Sequence, residues 1–528
     1  MVLPPSSAIE RARSLAVRIA GQPTWVFAIA AAIYLALCFA AFFVFRPTTV
    51  LYFTDYWEHR AFVEEVIRHG TNLSDPIYGE AASSRQFTPW ILVLGYLCRL
   101  TGISSDQALA VGAMLVSLLF VGGVFDFART YFRKPWAPVL LFVVLTCFWG
   151  PPGLLWTGFY ALRSQLHSNY YPAELVFALT FLAWAQMVRL LQARSFRVPN
   201  AILFAGIVAF SFLAHPLNAG FLIAGSAGLA VFEPKVSLMR RASVLLVLAA
   251  AILLAALWPY FNLIDLAGRG VKGADNFNNY PFFFHSKFVI RETWPALLGA
   301  FTIPWLVRDR NSIFLVAAFV AILAAYVGGG IIDMPVSHRF LAYVVLALQL
   351  MIVYLVLNFD RWQAVARLTV PTRRIVQGGG ASLVLILIIA HLAFSIEQFV
   401  RPWARADLVS PVEPVAEQTH AIAQALPPGA RVMAFSDASL VLPSFGVHVV
   451  AFCRPMVLSP TDHQRQIDYY RFFTPGVSTE ERKQLAARWG ATHVAYLDFQ
   501  LSPKLAAELA PLGPVAITVG PWRVIVLK

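Results

Sequence analysis

Apolar runs separated by short polar stretches follow one another along the chain from residue 24 almost to residue 400. A helix that crosses a membrane needs about 20 predominantly apolar residues, with about 17 as the lower limit. The pattern therefore predicts a bundle of membrane-spanning helices. The runs long enough to form helices cover residues 24–45, 106–128, 171–191, 199–215, 217–232, 242–261, 292–307, 311–328, 339–357 and 378–396.

Two further segments leave the number of spans open. Residues 88–100 are short for a full crossing, and residues 136–163 are interrupted by Gly-Pro-Pro-Gly at 150–153. The second segment is either one bent helix or two short ones, because proline breaks helices. Either 88–100 does not cross, and the length rule gives about eleven spans, or 136–163 holds two short helices, and it gives about thirteen. Basic residues at 129–134 favour the first arrangement.

From residue 401 the pattern changes to short elements punctuated by proline and glycine. It predicts strands over residues 430–435, 447–452, 492–497, 515–519 and 523–527, and helices over residues 413–426, 461–473, 478–489 and 502–510. Strands that alternate with helices indicate a small α/β domain. The domain carries no glycine-rich phosphate motif, so no nucleotide is predicted.

Composition places the chain among the polytopic membrane proteins. Of its 528 residues, 59% are hydrophobic and 13% are charged, and the mean hydropathy is +0.66. A soluble protein carries about 25% charged residues. The predicted fold class is a polytopic α-helical membrane protein, with a transmembrane domain over residues 1–400 and a small extracytoplasmic α/β domain over residues 401–528.

The distribution of charge predicts orientation and excludes nucleic acid as a partner. The net charge is +13, but the basic residues lie between the apolar runs, as the positive-inside rule describes, and form no basic face of the nucleic-acid-binding kind. Arg11, Arg13 and Arg18 predict a cytoplasmic N-terminus. A first polar loop at residues 46–88 and the C-terminal domain then lie outside. The four cysteines lack metal-binding spacing, so no metal is predicted.

The first polar loop carries the main candidates for chemistry. Asp55, Glu58 and His59 follow the first apolar run closely, and Arg85 precedes the next. Ionisable side chains at the edge of a membrane bundle indicate a functional site. The alternative interpretation is local, because Asp55 and Glu58 also have the spacing of a capping box for a helix over residues 55–69.

This helix is amphipathic, which predicts that it lies in the membrane interface. Its predicted lipid face comprises Trp57, Ala61, Val63 and Ile67, and its predicted water face comprises Glu64, Glu65 and Arg68.

Further candidates lie beside later spans. His338 and Arg339 open one span, and an arginine there either binds phosphate through two hydrogen bonds or extends its charge from a helix start into water. Arg85 has the same two interpretations. His167 and Asn169 precede another span and are candidates for substrate contact, with a solvated loop as the alternative.

Together these segments resemble the GT-C superfamily of membrane glycosyltransferases, and most closely its bacterial branch akin to protein O-mannosyltransferases and the lipid A aminoarabinose transferase. Residues 53–56 with the helix to Gly70 are similar to the family's acidic segment. Residues 85–90 are similar to its Lys-Pro-Pro segment, and residues 338–340 to its Arg-Tyr/Phe segment. Tyr56 stands where the family has a second acidic residue, and Pro89 alone replaces the proline pair.

The resemblance implies an inverting glycosyltransferase at the outer face of the bacterial inner membrane. It would move a sugar from a polyprenyl-phosphate donor to a lipid, glycan or protein acceptor. Asp55 would be the general base. Arg85 and Arg339, assisted by His338, would hold the donor phosphate.

The resemblance also sets the remaining expectations for the site. Glu58, His59, His167 and Asn169 are candidates for substrate contact. No cofactor is expected: the missing second acidic residue puts in doubt a divalent metal bound by paired carboxylates, and Glu58 or His59 is the alternative ligand that would leave such a metal possible. One phosphate leaving group and two arginines form a site that needs no metal.

Two other classes of function compete with this hypothesis. A lipid or polyprenyl-lipid transporter would share the many spans and the phosphate-binding arginines, although transporters often show matched halves and this sequence shows no internal repeat. A non-catalytic assembly protein would use its outside domain to bind a partner. The appended α/β domain favours an enzyme over a transporter.

Overall fold

The computed structural model describes residues 22–44, 55–80, 84–150, 158–234, 236–266, 281–308, 312–334, 337–359, 369–404, 412–454, 456 and 458–528. The three N-terminal arginines used to predict orientation lie outside these residues, as do residues 53 and 54 of the segment that resembles the glycosyltransferases.

Long helices fill the first three quarters of the chain. They are α1 Pro23–Phe39 with a π-helical continuation Ala40–Val44, α2 Asp55–His69, α3 Pro89–Thr101, α4 Ser105–Tyr131, α5 Ala137–Cys147, α6 Leu162–Ser168, α7 Pro172–Gln192, α8 Val198–Ala214, α9 Pro216–Phe232, α10 Leu238–Ala255, α11 Ser286–Leu297, α12 Ile303–Leu306, α13 Ile313–Ile331, α14 Phe340–Leu357 and α15 Val370–Ala404. Within the described ranges, seven helical segments are long and apolar enough to cross a membrane, and four more apolar helices are shorter. The predicted polytopic helical class is confirmed.

The two segments that left the span count open contain only short helices. Helix α3 has 13 residues, which corresponds to a length of about 20 Å, whereas the hydrocarbon core is about 30 Å thick. This length favours the arrangement in which residues 88–100 do not cross. Helix α5 ends at Cys147 and α6 begins only at Leu162. Residues 136–163 are therefore not one continuous helix.

The continuous helix predicted over residues 292–307 is wrong. Helix α11 contains Pro295 and ends at Leu297, where a 3₁₀ turn, Leu298–Thr302, takes over. At Gly299 the backbone approaches α14 so closely that an added Cβ would lie 2.3 Å from the carbonyl oxygen of Leu348. A close backbone approach requires glycine, and apolar periodicity alone does not predict it.

The chain divides into two compact units. The first contains residues 1–44, 113–255 and 279–401, and its most buried helices are α7 and α14. Asn218 of α9 joins these two: its Nδ2 donates to the carbonyl oxygen of Ala173 at 2.9 Å, and its Oδ1 accepts from the hydroxyl of Tyr343 at 2.7 Å. Such interhelical hydrogen bonds fix helix packing in an apolar medium.

The second unit contains residues 45–112, 256–278 and 402–528, and includes the predicted α/β domain. Its elements after residue 411 are α16 Val412–Ala425, β1 Arg431–Ala434, α17 Asp437–Val441, β2 His448–Val449, α18 Asp462–Phe472, α19 Thr479–Arg488, β3 His493–Leu497, α20 Pro503–Leu509, β4 Val515–Val519 and β5 Trp522–Val526. The strand order is β2-β1-β3-β5-β4, with β1 parallel to β2 and β3, and β5 antiparallel to β3 and β4. The predicted strands and helices are confirmed to within three residues at each end.

Candidate functional site

The first polar loop folds against the C-terminal domain within the second unit. The backbone N–H of Val449 in β2 donates to the carbonyl oxygen of Ile77 at 2.9 Å, and Arg431 Nη2 donates to the carbonyl oxygen of Tyr78 at 3.1 Å. Arg465 stacks its guanidinium over the Tyr78 ring at 4.5 Å and forms an ion pair with Glu80. The α/β domain therefore holds residues 77–80 of the loop in place through both backbone and side-chain contacts.

Helix α2 begins at Asp55, and the Asp55 carboxylate forms an ion pair with Arg454. The same Nη1 of Arg454 lies 3.7 Å from Glu58 Oε2. Glu58 is 3% exposed, whereas the Asp55 side chain is 40% exposed. One guanidinium therefore faces two carboxylates, of which only that of Asp55 is open to an incoming molecule.

Glu58 is buried beside the loop that carries Arg85. Its Oε1 accepts a hydrogen bond from Gln86 Nε2 at 2.5 Å. Burial raises the pKa of Glu58, while the Arg85 charge and the Gln86 hydrogen bond act in the opposite direction. Glu58 contacts Gln86, the neighbour of Arg85, and lies close to Arg454, the partner of Asp55. Its carboxylate therefore belongs to the cluster that contains Asp55 and Arg85.

His59 is a neutral imidazole in this cluster. Burial, reinforced by the charge of Arg85, lowers its pKa to about 3. A histidine with this pKa carries no charge at neutral pH and acts through hydrogen bonding alone. The structure thus brings together four of the predicted site residues, namely Asp55, Glu58, His59 and Arg85.

The predicted lipid face of α2 is wrong. Trp57, Ala61 and Val63 are buried within the protein. Glu65, predicted to face water, is also buried, and its Oε1 accepts from the backbone N–H of Ser74 at 2.9 Å. Amphipathic spacing shows that one face is buried but does not distinguish a lipid from a protein as the partner.

Arg454 is the site residue that the sequence interpretation missed. It follows a segment held from several sides: Val450 N–H donates to the Val432 carbonyl oxygen at 2.9 Å, and Cys453 N–H donates to Ser439 Oγ at 2.9 Å. Burial lowers the pKa of Arg454 to about 10, so the guanidinium stays charged at neutral pH. The one available signal was a basic residue just after the predicted strand 447–452.

A cavity of about 290 Å³ lies in the same unit. Trp258 and Tyr260 contribute aromatic rings to it, and Asp265 contributes a carboxylate. Trp258 Nε1 donates to the carbonyl oxygen of Phe87 at 2.9 Å, and the rings of Tyr260 and Phe87 lie 6.1 Å apart. The cavity wall is therefore attached to the segment that carries Arg85.

His338 and Arg339 belong to the first unit. They form a 3₁₀ turn, Ser337–Arg339, immediately before α14. His338 is buried, with its ring 5.2 Å from that of Phe283, and Arg339 is half-buried. The predicted pairing of Arg339 with a donor phosphate stays a prediction.

His167 and Asn169 also lie in the first unit. His167 is half-buried in α6. Asn169 is buried, and its Nδ2 donates to Ser117 Oγ at 2.8 Å and to the hydroxyl of Tyr34 at 3.3 Å. In this conformation the side-chain amide of Asn169 donates both of these hydrogen bonds within the helix bundle. Substrate contact by either residue stays a prediction.

The site combines carboxylates with guanidinium groups. Among the described residues, no group of three or more His, Cys, Asp or Glu side chains is placed to hold a metal ion. Two guanidinium groups, Arg85 and Arg454, accompany the carboxylates of Asp55 and Glu58. The half-exposed carboxylate of Asp55 is suited to accept a proton, and the guanidinium groups are suited to hold an anion.

The chain has the fold of the GT-C membrane glycosyltransferases. ArnT from Cupriavidus metallidurans, solved bound to undecaprenyl phosphate, is similar with a TM-score of 0.55 and 15% identity over 94% of this chain and 97% of that chain. The archaeal oligosaccharyltransferase AglB from Archaeoglobus fulgidus has a TM-score of 0.54, with 11% identity over 89% of this chain and 69% of that chain. The mycobacterial arabinofuranosyltransferase AftD has a TM-score of 0.55, with 13% identity over 95% of this chain and 40% of that chain.

These similarities are visible only at the level of structure. No protein-family profile matches the chain, and no curated protein sequence matches it.

Proposed function

We propose that this protein is an inverting glycosyltransferase that uses a polyprenyl-phosphate sugar as donor. The observation that carries the proposal is the half-exposed carboxylate of Asp55, placed with Arg85 and Arg454 in a chain of GT-C fold. The structure of ArnT bound to undecaprenyl phosphate supports a lipid phosphate as the leaving group. In the sequence, Asp55 follows the first apolar run and Arg85 precedes the apolar helix α3, which suits a donor with a lipid tail.

The reaction follows from the groups present. Asp55 accepts the proton of the acceptor hydroxyl as the acceptor oxygen forms its bond to the anomeric carbon. The bond from that carbon to the phosphate oxygen breaks at the same time, and polyprenyl phosphate leaves with the electron pair. Attack opposite the leaving group inverts the anomeric configuration. Arg85 stabilises the negative charge that develops on the phosphate.

The remaining predicted residues receive subsidiary roles. Arg339, with His338 beside it, completes the binding of the donor phosphate, since an arginine fork matches phosphate oxygens. Glu58 orients Arg454 and Gln86, with which it is in contact. Neutral His59 offers a hydrogen bond to a sugar hydroxyl. No cofactor takes part in this scheme.

The proposal includes a location. The protein would be a multi-pass protein of the bacterial inner membrane, with a cytoplasmic N-terminus and a periplasmic C-terminal domain. Its partners would be the lipid-linked donor, a lipid, glycan or protein acceptor, and the surrounding lipids. The transferred sugar would be a hexose or a pentose.

Sugar transfer by the purified protein tests the proposal. The protein is incubated in detergent with a panel of radiolabelled polyprenyl-phosphate sugars and with membrane extract as acceptor. Wild type should transfer label from one donor, and Asp55→Asn should lose about 10²-fold to 10⁴-fold in rate, the usual contribution of a general base. Asp498→Asn is the matched control, because Asp498 is a similarly exposed aspartate paired with Arg523.

Two results would contradict the proposal. Full activity of folded Asp55→Asn protein would remove Asp55 from the reaction. Absence of transfer and hydrolysis with every donor, from folded wild-type protein, would favour a lipid transporter instead.

A further inference from the structure

The ion pair between Asp55 and Arg454 joins the proposed general base to the C-terminal domain. Their positions differ by almost 400 residues in sequence, yet both belong to the second compact unit. Arg454 is held at the end of a buried segment, since Gln466 Nε2 donates to the carbonyl oxygen of Phe452 at 2.5 Å and Cys453 N–H donates to Ser439 Oγ. The C-terminal domain therefore contributes a charged side chain to the cluster.

During the proposed reaction, negative charge leaves Asp55 and appears on the phosphate. The donor is a phosphodiester with one negative charge, and its departure as a monoester adds a second with a pKa of about 6. Asp55 begins as a carboxylate and becomes neutral when it accepts the acceptor's proton. The best anionic partner for a nearby guanidinium therefore changes from Asp55 to the phosphate as the reaction proceeds.

We propose that Arg454 changes its ion-pair partner during the reaction: it pairs with Asp55 in the resting enzyme and binds the phosphate once Asp55 is protonated. The inference rests on the proposed function and assigns the C-terminal domain a direct part in it. An interaction that strengthens only as the leaving group forms lowers the barrier to transfer, because it favours the transition state over the bound donor. Pairing at rest also keeps Asp55 ionised and ready to accept a proton.

The geometry allows such an exchange. The Arg454 side chain is 34% exposed and the Asp55 side chain 40% exposed, so their contact is open to a ligand. Glu58 Oε2, at 3.7 Å from Arg454 Nη1, gives the guanidinium a second partner that remains when Asp55 is released. A half-exposed pair contributes at most about 1 kcal/mol, which a phosphate dianion can replace.

Binding of undecaprenyl phosphate tests the inference without any turnover. Wild type, Asp55→Asn, Arg454→Ala and the double variant are titrated with undecaprenyl phosphate in detergent, and the dissociation constants are measured by calorimetry. Asparagine imitates the protonated aspartic acid, so Asp55→Asn should bind a few-fold more tightly. Arg454→Ala should bind roughly tenfold more weakly, because a charged hydrogen bond is lost.

The double variant decides between this exchange and simple repulsion of the phosphate by Asp55. If the tighter binding of undecaprenyl phosphate by Asp55→Asn depends on Arg454, then Asp55→Asn should not increase the affinity when Arg454 is alanine. An equal gain in both backgrounds would overturn the inference, and so would unchanged binding by Arg454→Ala. Arg471→Ala is the matched control, since Arg471 is an exposed arginine paired with Glu481 in the same domain.

Kinetics separate the role of Arg454 from a structural one. Arg454→Ala should lower kcat for sugar transfer more than it raises KM for the donor, and Arg454→Lys should restore part of kcat because it keeps the charge. Equal loss in folded Lys and Ala variants would overturn the inference. If wild type binds undecaprenyl phosphate but transfers no sugar, the proposed function fails. The dissociation constants of wild type, the two single variants and the double variant still test whether Arg454 binds the phosphate.

Discussion

The hydroxyl of Tyr78, in the first polar loop, donates to a carboxylate oxygen of Asp462 at 2.5 Å, in helix α18 of the C-terminal domain. Both side chains are buried. The segment that leads from β2 to Arg454 also contacts this pair, because Phe452 N–H donates to the Tyr78 hydroxyl oxygen at 3.4 Å. The same hydrogen-bonded group therefore holds the polar loop and the segment that presents Arg454 to Asp55.

Tyr78→Phe should destabilise this arrangement and reduce transfer. The substitution removes the Tyr78 hydroxyl from Asp462 and from the Phe452 N–H in a buried group, and the loss of a buried hydrogen-bond partner costs about 1–3 kcal/mol of unfolding free energy. Tyr470→Phe is the control, because Tyr470 lies on α18 as well but is 60% exposed. Thermal unfolding and the rate of sugar transfer are measured together. A Tyr78→Phe protein as stable as Tyr470→Phe would show that the hydrogen bond contributes nothing.

Arg339→Ala should weaken donor binding if the proposed function is right. Arg339 is half-buried in the turn before α14, next to His338. Loss of a charged hydrogen bond to phosphate corresponds to roughly a tenfold increase in KM for the donor, and Arg339→Lys should keep part of the affinity as a point charge. KM is measured for the donor identified with wild type. An unchanged KM in Arg339→Ala would exclude Arg339 from the phosphate site.

Gly79→Ala should destabilise the polar loop through two separate effects. Gly79 has φ +65°, which favours glycine, and an added Cβ would lie 2.7 Å from a ring carbon of His448. Gly102→Ala is a matched control, because Gly102 has φ +75° and no heavy atom within 4 Å of the added Cβ. Backbone strain costs about 1 kcal/mol at both positions. The extra loss of unfolding free energy at Gly79 measures the contact with His448, and equal losses would show that the loop moves away without cost.

Much of the fold could be predicted from local patterns, because it depends on them. The strands that became β3 and β5 were predicted from short apolar runs with turn residues between them, and the long spans α4 and α7 from apolar length alone. These signals reside within one segment of the chain. The end of helix α11 at Leu297 was not predicted, since it depends on the contact of Gly299 with the backbone of Leu348.

The site could be predicted only in part for the same physical reason. Asp55, Glu58, His59 and Arg85 lie within one loop, so a local excess of ionisable residues indicated them. Arg454, which pairs with the Asp55 carboxylate, comes from the C-terminal domain, and no local pattern connects it with Asp55. The buried state of Glu65 was missed because one of its partners, Ser74, lies beyond the helix.

Asp75 should make the stability of the second unit depend on pH. Burial raises its pKa to about 7, with nearby Glu80 acting in the same direction and Arg465 against it. In the unfolded chain an aspartate has a pKa of about 4. Between these values the folded state binds more protons than the unfolded state, so the free energy of unfolding should fall as pH rises from about 4 to about 7.

Asp75→Asn isolates this effect because the amide cannot ionise. Asparagine Oδ1 can still accept the two backbone hydrogen bonds that Asp75 Oδ1 accepts from Ile77 at 2.7 Å and from Tyr78 at 3.3 Å. Thermal unfolding is measured from pH 4.5 to pH 8 (about the range between the two pKa values and just above it). The wild-type midpoint should fall more steeply than that of Asp75→Asn. Parallel curves would mean that Asp75 ionises in the folded protein as it does in the unfolded chain, and that its burial carries no electrostatic penalty.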